Sequence, residues 1–145
     1  MREILFRGKR LDNGEWVEGW YQPETTIKHW NGIQETVGVT IAYKVEDGFL
    51  EDTLVDPPTV GQYTGLNDKH GKRIFEGDIV KTSDITHEGV IQIPGESFEI
   101  AMRKGCWVMV AGEDWDFLET NHECIQIIGN IHDNKSLLNN QEAGE

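Results

Sequence analysis

Cysteine is scarce: Cys106 and Cys124 are the only two among 145 residues. In a cytoplasmic chain no structural disulfide between them is expected, and without a C-x-x-C pair the usual spacing of a structural zinc site is missing as well. In a reducing compartment the expectation is two buried, inert thiols. Long apolar runs are also absent. The opening MREILFRGKR has charges on both sides of three consecutive apolar residues, so neither a signal peptide nor a membrane anchor is expected and the protein reads as cytoplasmic. Basic residues are short too: 13 Lys and Arg stand against 26 Asp and Glu, a formal charge of -13. That surplus repels phosphate backbones and anionic membranes at long range and disfavours DNA binding through a broad basic face. Nucleophile-elbow, phosphate-loop and dinucleotide-binding motifs are all missing, as are repeats and heptads.

What is present is a hydrophobic period of two, which predicts a mostly β chain. Val37, Val39, Ile41, Tyr43 and Val45 alternate with Gly38, Thr40, Ala42 and Lys44, and Asp47-Gly48 supplies a turn from which Phe49 to Val55 returns. Ile4 to Arg7 and Glu15 to Tyr21 flank Asp12-Asn13-Gly14, a second hairpin signature. Gln22 to Glu35, with Pro23, Asn31 and Gly32, show no sustained period and read as a surface excursion. Asp56-Pro57-Pro58 is a stiff connector. Short apolar runs recur at Gly89 to Ile93, Phe98 to Met102, Cys106 to Val110 and Cys124 to Ile131, separated by Pro94-Gly95, Lys104-Gly105 and Ala111-Gly112. Glu113 to Leu118 suits one helical turn, and a second short helix is expected after Asp133 or Asn134. One domain over residues 1–138 follows, with a frayed polar tail at 139–145.

The segment Val60 to Lys81, VGQYTGLNDKHGKRIFEGDIVK, has the most specific pattern. It reads as a strand, a polar turn at Asn67 to Gly71, and a second strand interrupted at Glu76-Gly77-Asp78. With Arg2 to Arg7 before it and Ile127-Ile128-Gly129-Asn130-Ile131-His132-Asp133-Asn134 after it, the chain resembles the YopX family of phage and prophage proteins. The resemblance implies an all-β fold of two small antiparallel sheets packed as a pseudo-barrel, and a phage or prophage origin. It carries over no established reaction and no catalytic residues.

Catalysis and cofactors are not expected. Asp68, Glu76 and Asp78 are close enough in sequence to form an acid–base or metal site, yet turn formation explains the same residues. His122, Cys124, Cys106 and His132 are possible zinc ligands without zinc spacing, and a cysteine beside Trp107 in an apolar strand makes a poor nucleophile. Binding a protein partner, or self-assembly into a homo-oligomer, is the leading expectation. Trp30 in the unpatterned excursion is the candidate anchor, and Trp107 the tryptophan expected in the core. Association with nucleic acid is the alternative. It would use Lys69, His70, Lys72 and Arg73 at the turn, or Arg2, Arg7, Lys9 and Arg10 beside Trp16, Trp20 and Tyr21.

Overall fold

In the computed structural model, residues 4–82 and 97–138 are described. The Gly89 to Ile93 run, the Pro94-Gly95 turn, Arg2 and the 139–145 tail lie outside them. Two antiparallel sheets account for most of the chain, with little helix, as the period of two predicts. The contacts fall into two compact units, Met1–Tyr63 and Thr64–Glu145.

In the first unit β1 (Phe6–Lys9), β2 (Trp16–Lys28), β3 (Gln34–Lys44) and β4 (Leu50–Leu54) pair in sequence. The β1–β2 hairpin turns where Asn-Gly foretold, because Gly14 takes a φ of 73° that a side chain would resist. Ile41 and Val55 are fully buried and Val17 nearly so, with Phe6, Val39, Tyr43 and Val60 packed against them. Two glycines let the sheet coil tightly around this core: a Cβ on Gly8 would lie 3.0 Å from the Val55 Cβ, and one on Gly19 2.0 Å from the Ala42 carbonyl oxygen. Arg10 bridges Val55, while the Leu11 amide donates to the Leu54 carbonyl (3.0 Å) and that of Asp56 to Lys9 (2.8 Å). The end of β4 is thereby drawn back to β1, yet no closed barrel forms among the described residues. Pro57–Thr59 make a short 3₁₀ turn, and β5 (Gly61–Asn67) begins beside β1.

The expected excursion at 22–35 is a strand ribbon instead. β2 and β3 stay paired out to Lys28 opposite Gln34, leaving only His29 to Ile33 as the tip. Register shifts between Gln22 and Thr25, and again between Thr25 and Thr26, interrupt the alternation near Pro23, so the strand has no period to read.

In the second unit β6 (Arg73–Phe75) returns beside β5, and β7 (Asp78–Thr82), β8 (Ser97–Arg103), β9 (Cys106–Ala111), β10 (Asp114–Phe117) and β11 (Ile125–Asn130) form a sheet ordered β10-β9-β8-β7-β11. Its core joins Ile74, Val80, Ile100, Met109, Leu118 and Ile125, with Trp107 partly buried against them. Lys104-Gly105 turns the β8–β9 hairpin with both residues at positive φ. Glu113 to Leu118 are not a helical turn: Asp114–Phe117 pair with β9, and the helix α1 (Leu118–Asn121) starts only after them. Gly112, at φ 62°, closes a hairpin there, so Trp115 and Phe117 align two residues apart and meet edge to face at 5.2 Å. A helix does begin at 136–138, and the Asn134 side chain just before it accepts from the Asn130 amide (3.3 Å). Cys106 is exposed, against expectation, and Cys124 half-buried. Cys106 opens β9 directly after the turn, opposite Arg103, at the hairpin end where the strands have least cover.

Candidate functional site

The central segment folds as its turn residues dictate: two of its acids, Asp68 and Asp78, are committed to the backbone, while Glu76 is exposed. Asp68 is buried, and its Oδ1 accepts the amides of His70 (2.9 Å) and Lys72 (3.0 Å), closing the turn in which Gly71 has a φ of 80°. Its Oδ2 accepts the Ile127 amide (3.0 Å) from a strand 59 residues away. Burial works against the charge of Asp68, but the amides of Ile127, Lys72 and His70 outweigh it and hold the carboxyl below the ordinary range. The Lys69 amide donates to the Ile125 carbonyl (2.9 Å), and a ring nitrogen of His122 bonds the Asn67 carbonyl (2.8 Å). The turn thus lies along the outer edge of β11 and satisfies backbone groups that an edge strand would otherwise expose.

Asp78 is also buried and accepts the Phe75 amide at 2.8 Å, which shapes the Glu76-Gly77 turn. Gly77, at φ 90°, donates to the Ile100 carbonyl and accepts from the Ile131 amide, both at 2.9 Å. Asn130 completes the arrangement: its Oδ1 accepts the amides of His132 and Asp133, each at 2.9 Å, and a Cβ on Gly129 would lie 2.6 Å from Asn134 Oδ1. The two most distinctive stretches of sequence therefore interlock, and their polar residues hold turns. Among the described residues no three His, Cys, Asp or Glu side chains gather where a metal could sit.

The Lys69, His70, Lys72 and Arg73 side chains point outward from this fixed turn, and all four are exposed. The N-terminal basic residues are occupied differently. Arg7 lies over the Trp16 ring at 4.7 Å and Lys9 at 6.0 Å, while Arg10 is held by Asp12 (2.8 Å) and lies 5.8 Å from the Tyr43 ring centre. Trp16 is therefore covered by the cations that would have flanked it in a stacking platform. Trp20 and Tyr21 are 46% and 37% exposed, and Tyr21 stacks at a tilt on Phe6 at 5.1 Å.

Trp30 belongs to the first unit and the Lys69 to Arg73 set to the second. At the ribbon tip the His29 amide donates to the Ile33 carbonyl (2.8 Å), the Gly32 amide to the His29 carbonyl (2.9 Å), and the Ile33 amide to Asn31 Oδ1 (3.0 Å). His29 Nε2 meets Glu35 at 3.1 Å across the ribbon. Trp30 is held on this ordered turn at 98% exposure, with Ile33 61% exposed beside it. No helix among the described residues is long and apolar enough to cross a membrane.

Sequence reasoning missed a groove of about 480 Å³ in the first unit, lined by Arg10, Leu11, Asp12, Tyr43 and residues 51–54. No linear signal announces it, since its walls come from three separate strands and turns.

Comparison with solved structures supports the fold. Protein EF1440 from Enterococcus faecalis is similar at 20% identity and a TM-score of 0.50, over 95% of this chain and 99% of its own. Protein yopX from Bacillus subtilis is similar at 19% identity and a TM-score of 0.50, over 95% and 97%. No curated protein matches the chain. A family model described as YopX protein matches residues 5–139, a span that takes in the central segment and the Gly129 to Asn134 turn, so the chain belongs to the YopX protein family.

Proposed function

We propose that this is a non-catalytic accessory protein, of the phage or prophage origin its resemblance implies, that acts by binding another protein through the tip of the β2–β3 ribbon. The observation that carries the reading is Trp30, 98% exposed on a turn fixed by its own hydrogen bonds. Leaving a large aromatic side chain in water forgoes roughly 1.5–3 kcal/mol of burial, which a partner surface recovers. An ordered turn loses little further freedom on docking, and tryptophan is among the residues that dominate binding energy when buried at an interface. The commitment of Asp68 and Asp78 to backbone amides supports a role without catalysis.

The test is recovery of partners on tagged protein from source cells, with nuclease present, alongside sedimentation of the purified chain. Trp30→Ala should abolish recovery while leaving the fold intact. If recovery survives Trp30→Ala, the ribbon is not the contact. If sedimentation instead shows an oligomer that dissociates in Trp30→Ala, the partner is a second copy.

A second reading, association with nucleic acid, draws on the exposed Lys69, His70, Lys72 and Arg73. It requires a gel shift in low salt that disappears when Lys72 and Arg73 become Glu. Wild-type protein that shifts nothing rejects it.

A further inference from the structure

The outer edge of β4 is occupied at one end and open at the other. In the ladder with β3, the Val55 amide donates to the Val39 carbonyl (3.1 Å) and the Val45 amide to the Phe49 carbonyl (2.9 Å). Backbone groups alternate in direction along an antiparallel strand, so Glu51 and Thr53 face β3 while Leu50, Asp52 and Leu54 face away from it. The Leu54 carbonyl confirms this phase, since it accepts from Leu11 on the far side. Arg10 and Leu11 thus already lie along β4 as a short added strand, ending at Leu54. Beyond them, no strand among the described residues pairs with the outer edge of β4 at Leu50 and Asp52, and the 480 Å³ groove opens along this stretch.

The groove is acidic. Asp12, Glu51 and Asp52 line it with Arg10, whose guanidinium gives two hydrogen bonds to Asp12, at 2.9 and 2.8 Å. Glu51 accepts from the Tyr43 hydroxyl at 3.2 Å. Apolar side chains flank the edge: Leu50 is 57%, Leu54 39% and Leu11 59% exposed. From this geometry we infer that β4 accepts an extended, basic segment of a partner protein as an added strand, continuing the line of Arg10 and Leu11. The partner's backbone would bond Leu50 and Asp52. Side chains alternate between the two faces of a strand, so its lysines or arginines would meet Glu51 on one face while its apolar residues cover Leu50 and Leu54 on the other, where Asp52 adds to the attraction of the basic segment as a whole. A second copy is the wrong occupant. Antiparallel pairing of β4 with itself about its middle residue sets Asp52 against Asp52, and like charges directly opposite destabilise a strand pair. The site is separate from Trp30 and does not depend on it.

The experiment measures anisotropy of a fluorescein-labelled ten-residue peptide alternating lysine with valine, titrated with the whole chain. Saturable binding that weakens with salt is expected. A peptide of equal charge with two valines changed to proline, unable to pair as a strand, should bind at least ten-fold more weakly. Asp52→Pro, which removes an amide facing away from β3, should weaken binding ten-fold or more while circular dichroism stays unchanged. Should Asp52→Pro unfold the chain, Asp52→Lys keeps the backbone and should weaken binding at least five-fold. Trp30→Ala should leave it unaltered. No binding in low salt, equal binding of the proline peptide, no loss in either Asp52 variant, or loss in Trp30→Ala would each overturn the inference. So would a stable dimer that competes with the peptide.

Discussion

Replacing Asp68 with alanine should destabilise the second unit strongly. The carboxylate accepts three backbone amides, from His70, Lys72 and Ile127, at 2.9, 3.0 and 3.0 Å. Hydrogen bonds to a charged group contribute roughly 1.5–3 kcal/mol each. Two of these share one oxygen and count for less than two separate bonds, so the loss is expected near ~4 kcal/mol. A domain is stable by about 5–15 kcal/mol in all, so the change removes a large part of it. Urea unfolding followed by the fluorescence of Trp107, which packs on this core, should show the midpoint falling by roughly 2–3 M for a slope near 1.5 kcal/mol/M.

Asp68→Asn sharpens the test. It keeps an oxygen for His70 and Lys72 but sets an amide group against the Ile127 N–H, for an expected cost of about 2 kcal/mol. The pH dependence follows from the lowered carboxyl. A group whose folded pKa lies below its unfolded value of about 3.9 adds stability above that value and loses it as pH falls through the folded one. The deficit of Asp68→Asn relative to wild type should therefore be full at pH 7 and shrink below about pH 4. A deficit under ~1 kcal/mol for Asp68→Ala, or one for Asp68→Asn that is the same at pH 7 and pH 3, would refute the reasoning.

Gly19→Ala should break the first unit, since its Cβ would sit 2.0 Å from the Ala42 carbonyl oxygen and only separation of β2 from β3 relieves the clash. Thermal melting should show loss of the native transition, whereas Gly14→Ala, with φ at 73° but open space around it, should cost only about 1 kcal/mol. Gly129→Ala meets the Asn134 side chain, 2.6 Å from its Oδ1, so in a double-mutant cycle Asn134→Ala should recover part of its cost, and additive losses would count against the contact. Trp30→Ala should leave the melting temperature unchanged, within about 0.5 kcal/mol of stability, because the side chain is 98% exposed.

What could be read from the sequence was local. Asn13-Gly14, Asp47-Gly48 and Asn67 to Gly71 announce turns because positive φ and side-chain acceptance of nearby amides act within a few residues, and each turn is where it was expected. The 22–35 ribbon was illegible because its register shifts remove the alternation that marks a strand. Exposure of Cys106 depends on its place at the end of the β8–β9 hairpin, which composition does not record.

The same distinction applies to the candidate site. That Asp68 forms a turn could be inferred from its neighbours, but its third bond reaches Ile127, 59 residues on, and turns a local device into a cover for the edge of β11. The edges at β11 and β4 are thus treated differently. Asp68 and the Lys69 amide satisfy β11, while on the outer edge of β4 Leu54 and Val55 are met by Leu11 and Arg10, and among the described residues no strand pairs there with Leu50 or Asp52, beside a groove. Open strand edges invite association, and natural sheets cover or charge them. Here the charge is Glu51 and Asp52, which deters a second acidic copy and still admits a basic strand.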